Sequence, residues 1–119
     1  MIFNCHTHIG DAFIRLPEKK FSVEELVAPP HGYKHRMLRS ASVDEILNGM
    51  KEAINIMESC NTNVFIDFRE GGIEGVKLLQ NALKGRKIKA IILSRPLEMR
   101  YDEKEIENLL SMSHGIGIS

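Results

Sequence analysis

Ser42–Phe68, SVDEILNGMKEAINIMESCNTNVFIDF, is the stretch that decides the fold class, because its hydrophobic period changes partway. Val43, Ile46, Leu47, Met50, Ala53, Ile54 and Met57 recur at three- and four-residue steps, one apolar stripe along a helix. Ser42 and Glu45 have capping-box spacing, in which the hydroxyl and the carboxylate serve the unpaired N–H groups of the first turn. Cys60-Asn61-Thr62-Asn63 ends the stripe, and Val64-Phe65-Ile66-Asp67-Phe68 reads as a strand.

The same rhythm continues downstream. Gly71-Gly72 marks a turn, and Ile73, Val76, Leu79 and Leu83 line one face of a second helix that stops near Gly85. Ile88–Leu93 has almost no polar alternation, which predicts a strand buried on both faces. Pro96 closes it, and Asp102 caps a third helix with Ile106, Leu109 and Leu110 inward. His114 and Gly115 lead into a fourth strand at Ile116–Ser119, with His114 in a structural role.

Upstream, Ile2–Cys5 is a short apolar strand ending in His6-Thr7-His8. Between Ile9 and Ala41 lie Pro17, Pro29, Pro30 and Gly32, which exclude a long helix. A short turn of helix is expected at Ser22, where Glu25 completes capping-box spacing, with Pro29-Pro30 ending it. Residues 9–41 are otherwise expected to be a long mobile loop over the site. Strands alternating with amphipathic helices give an α/β fold with a parallel sheet. A (β/α)8 barrel takes about 250 residues. The 119 residues therefore read as one partial domain, the first half of such a barrel, truncated at the fourth strand.

With 43% hydrophobic and 27% charged residues, the composition is that of a globular protein, not a disordered one. Sixteen basic residues balance sixteen acidic ones, which gives no general attraction to nucleic acid or anionic membrane. No apolar run approaches the roughly 20 residues a membrane helix needs and no signal-like start is present, so a cytoplasmic location is expected. Cys5 and Cys60 are expected to be small buried thiols. Open edges of a half barrel predict self-association.

The chemistry concentrates at His6 and His8. Two residues apart on a strand, their imidazoles aim at one side, at the carboxyl end where parallel α/β folds carry their sites. Neutral imidazole is the commonest protein ligand for zinc and similar ions. Asp67 and Arg69 end the second strand and Arg95 the third, positions expected to face a barrel mouth and contact substrate, with structural ion pairs as the alternative. Asp11 is a candidate partner for a ligand histidine or a turn cap. His31, His35 and the cluster Lys34, His35, Arg36 and Arg39 are expected to be solvated.

Phe3-Asn4-Cys5-His6-Thr7-His8-Ile9-Gly10-Asp11 resembles the strand-one signature of the amidohydrolase superfamily of metal-dependent hydrolases, in its TatD-like or amidohydrolase-like branches. Val64–Gly72 is similar to a second-strand segment of some members. The resemblance implies that His6 and His8 bind a divalent metal, usually zinc, as one or two ions. It also implies hydrolysis of an amide, amidine or ring C–N bond in a small molecule. The remaining ligands and the general base of that family come from later strands, so this chain alone is expected to be inactive or nearly so. The polymerase-and-histidinol-phosphatase family also opens with His-x-His on a first strand, so metal-dependent phosphoester cleavage is one alternative. A non-catalytic flavodoxin-like binding or assembly module is the other.

Overall fold

The computed structural model describes residues 1–118. Four strands, β1 (Ile2–Thr7), β2 (Thr62–Arg69), β3 (Lys89–Ser94) and β4 (Gly115–Ile116), form one sheet in the order β1-β2-β3-β4, with every pair parallel. Five helices accompany them: α1 (Val23–Val27), α2 (Tyr33–Ser40), α3 (Val43–Ser59), α4 (Gly72–Ala82) and α5 (Glu103–Met112), together with a 3-10 turn at Ile9–Asp11. Each strand lies beside its predecessor, as in successive units of a barrel. The flavodoxin-like order reverses direction across the sheet, so that alternative topology is not the one this chain adopts.

The core lies on one face. Met50, Ile54 and Met57 of α3, Val76 and Leu79 of α4 and Leu109 of α5 pack with Phe65 of β2 and Ile92 of β3. Both expected capping boxes form: Ser22 Oγ accepts from Glu25 N and Ser42 Oγ from Glu45 N, while each glutamate accepts from the cap residue's own N–H. Asp102 likewise accepts from Glu105 N at the start of α5. Gly71 takes φ +88° as the residue that starts α4, a left-handed conformation that favours glycine. His114 joins β4 to β3 as a structural clip, accepting from Ile92 N at Nδ1 over 3.0 Å.

The opposite sheet face is open. Val64, Ile66, Phe68, Ile91 and Leu93 are half-buried there, so β3 is fully covered on its helix side alone rather than on both faces. β1 forms an edge whose residues Ile2–His6 are exposed. Cys5 and Cys60 are exposed too, contrary to expectation, because one lies on that edge strand and the other caps the surface end of α3. β4 is shorter than the expected Ile116–Ser119 strand, of which Ser119 lies outside the described residues. The stretch 9–41 carries more structure than expected. Pro29 and Pro30 precede Gly32, the N-cap of α2, so they flank that helix without breaking it. His35 is therefore helical, and its Nε2 lies 3.1 Å from the carbonyl of Val27.

Candidate metal centre at the carboxyl ends of the strands

His6 and His8 converge. Their Nε2 atoms are 3.1 Å apart and their ring centroids 5.1 Å apart. The register between β1 and β2 sets this up: Asn4 pairs with Phe65 and Thr7 with Asp67, so three steps on β1 match two on β2. This bulge turns Thr7 toward the helix side and leaves both imidazoles on the open face. Phe68 floors them there, with its ring centroid 4.5 Å from that of His6 and 5.6 Å from that of His8.

Asp67 pins the chain on either side of His8. Its Oδ1 accepts from Thr7 Oγ1 at 2.7 Å and from Ile9 N at 2.8 Å. Asp67 is fully buried, and burial pushes its carboxyl above the ordinary range, although Ile9 N–H, Thr7 and the charges of Arg69 and His8 pull the other way. The ring of His8 is held below its ordinary range by burial and by the Lys34 cation, against the pull of Glu70, Asp11 and Asp67. It is therefore neutral at pH 7, the state that donates a lone pair.

The expected mouth-facing positions of Asp67 and Arg69 are corrected by the fold. Both share a face with Phe65, which is the helix side. Arg69 is 4% exposed and donates from Nε to the Gly75 carbonyl at 3.1 Å. A Cβ at Gly10 would collide with its guanidinium, so the 3-10 turn closes directly over Arg69. Arg69 Nη1 and Asp67 Oδ2 are buried without hydrogen-bond partners among the described residues.

Arg95 sits where expected, at the end of β3, and is engaged in a buried network. Its Nη1 lies 3.2 Å from Glu70 Oε1, which also receives Lys34 Nζ at 2.7 Å, and the same Lys34 Nζ lies 3.0 Å from Asp11 Oδ2. Burial alone would raise the Glu70 carboxyl, but the hydrogen bond and charge of Lys34, then Arg95 and Arg69, outweigh it and hold it below the usual range. Asp11 thus serves Lys34. Lys34 belongs to this network rather than to a solvated basic cluster, since its side chain is only 14% exposed. Sequence reasoning named Glu70 as an ion-pair partner for Arg95, as found, but missed Lys34 and Phe68. Phe68 was reachable by alternation from Val64 and Ile66, which share its face of the sheet. Nothing local marks Lys34, because its partners lie on other elements.

The histidine pair fits part of a metal shell. Two nitrogens each about 2.0–2.1 Å from a tetrahedral ion stand roughly 3.3 Å apart, close to the 3.1 Å seen here. Among the described residues no three His, Cys, Asp or Glu side chains gather around one point. A catalytic zinc generally takes three protein ligands, of which the histidine pair would supply two. His8 Nδ1 is buried and has no hydrogen-bond partner among the described residues, unlike the usual metal-binding histidine whose second nitrogen is held by a neighbour.

Comparison with known proteins reaches relatives that are named for no more than a general activity. The chain is 43% identical over 119 residues to an uncharacterized protein of Methanocaldococcus jannaschii, covering 99% of this chain and 31% of that protein. It is 38% identical over 94 residues to a protein of Methanothermobacter thermautotrophicus named "Putative aminohydrolase", covering 79% and 24% of the two chains. A protein of Archaeoglobus fulgidus bearing the same name is 36% identical over 78 residues, covering 66% and 23%. The chain is thus a distant homologue of archaeal proteins named as aminohydrolases, and it spans between about a quarter and a third of their length. No family model and no solved structure matches it. No helix among the described residues is long and apolar enough to cross a membrane.

Proposed function

We propose that this chain is a metal-binding segment of a hydrolase that cleaves a C–N bond in a small molecule, with His6 and His8 as two ligands of a divalent ion such as zinc. The observation that carries the reading is the convergence of the two Nε2 atoms, 3.1 Å apart, at the carboxyl end of the first strand. Its support is the parallel β1-β2-β3-β4 order, and the aminohydrolase name of two relatives.

When bound, a divalent metal supplies Lewis-acid activation of substrate and water at neutral pH. The chain's own residues do the positioning. Phe68 holds both rings against the sheet, and Asp67 fixes the backbone around His8 through Thr7 and Ile9. Lys34, carried on α2, ties that helix to Asp11 in the 3-10 turn and to Glu70 just after β2.

Titration of the chain with zinc and with manganese tests the reading. Metal uptake by the wild type and its loss in a His6→Ala/His8→Ala variant that keeps its helical circular dichroism is the expected result. Equal uptake by the two proteins overturns the reading.

A further inference from the structure

At the carboxyl end of the sheet, a cavity of about 620 Å3 opens between the α1–α2 connection and the loop after β3. Its size falls within the roughly 300–1,000 Å3 typical of small-molecule sites. Most of its wall is apolar, formed by Pro29, Pro30, Leu38, Pro96, Leu97 and Met99. Its charged lining is Arg39, Arg95, Glu70 and Glu98, with His35 alongside.

The carboxylates there are already engaged. Glu98 Oε2 lies 2.9 Å from Arg100 Nη2, and Glu70 Oε1 takes both Lys34 and Arg95. The cations are not matched in the same way. Arg39 donates from Nη1 to the Pro30 carbonyl at 2.7 Å and pairs with no carboxylate among the described residues. Arg95 is 5% exposed, with Nε 2.7 Å from Met99 Sδ and Nη1 on Glu70, which leaves Nη2 without a partner among the described residues. Lys34 and Arg95 thus divide Asp11 and Glu70 between them while Arg39 pairs with neither, an excess of one positive charge beside an apolar hollow.

We propose that this cavity receives the carboxylate end of the substrate, held by Arg95 and Arg39, with the apolar body of the molecule against the proline and leucine walls. The inference rests on the hydrolase reading above and narrows its substrate to carboxylate-bearing small molecules. A monoanion matches the single excess charge. Arginine presents its N–H groups in a fixed plane suited to a carboxylate. Glu70 and Arg95 line the cavity and directly follow β2 and β3, so it opens at the same carboxyl end of the sheet as the histidine pair.

The test is direct binding to the full chain, followed by calorimetry or NMR titration in a metal chelator. The probes are phenylacetate, its neutral isostere 2-phenylethanol, and phenyl phosphate. Phenylacetate is expected to bind, with the alcohol at least about tenfold weaker, the weight of a charge-assisted hydrogen bond. Arg95→Gln and Arg39→Gln are each expected to weaken phenylacetate by about tenfold. Arg39 is exposed and bonds only a backbone carbonyl, so its variant stays interpretable if loss of the Arg95–Glu70 pair unfolds the other. Equal affinity for the alcohol, preference for the phosphate ester, unchanged binding by Arg39→Gln, or no binding at all would each overturn the proposal. Because the readout needs no metal, its failure leaves the histidine titration untouched, and the converse holds.

Discussion

Asp67 and Glu70 stand three residues apart, and their environments drive their carboxyls in opposite directions. Burial raises Asp67, whereas Glu70, also buried, is lowered by Lys34 and two arginines. A carboxyl raised on folding binds protons more tightly in the native state, so its contribution to stability declines as pH rises from the unfolded value through the raised one. A lowered carboxyl contributes above the ordinary value and loses that contribution as pH falls. Asp67→Asn keeps the Oδ1 acceptor for Thr7 and Ile9 but removes the charge. The stability of Asp67→Asn relative to wild type is therefore expected to improve steadily from pH 4 upward, measured by urea unfolding at several pH values. A difference that does not vary with pH would show that burial of this carboxylate is not felt. Asp67→Ala strips the acceptor from a buried N–H as well, and is expected to cost about 1–3 kcal/mol in the same measurement. The alternation that fixes these roles was legible from Phe65, since Asp67 and Arg69 follow it at two-residue steps on a covered face. Placing them at a mouth because they end a strand overlooked which side of the sheet they occupy.

Helix α3 shows how much a local pattern reveals when tertiary packing agrees with it. Its stripe and capping box specify Val43–Ser59 closely. Ser42→Ala is expected to lower stability by about 1 kcal/mol, read as a shift in the urea midpoint with unchanged slope. Helix α2 is the contrary case. Two prolines and a glycine obscure it, and its Lys34 reaches two carboxylates on other elements. Lys34→Met is expected to raise hydrogen exchange across Tyr33–Ser40 while Val43–Ser59 keeps its protection. Unaltered exchange in α2 would mean that its other contacts suffice to hold it. Arginine 95 was readable as an end-of-strand cation, but the sharing of Glu70 between two cations depends on β2, β3 and α2 meeting. No single segment of the chain contains that information.

At the level of the molecule, the parallel βα succession was legible because each helix and strand announces its own period. The absence of burial on the second sheet face was not, since a run such as Ile91-Ile92-Leu93 reads the same whether one face or both are covered. That open face and the β1 edge carry exposed Ile2 and Phe3, 49% and 55% accessible. Unpaired edge groups beside apolar side chains favour strand-to-strand association. Sedimentation of the isolated chain is expected to show concentration-dependent oligomers, and a strictly monomeric profile at high concentration would contradict this. The spatial order of the strands carries one more consequence, for synthesis. Since every newly made strand docks against the one completed just before it, a growing polypeptide leaving the ribosome never has to hold a gap open for a later arrival. Assembly can keep pace with translation, zipping outward from the histidine-bearing rim one unit at a time.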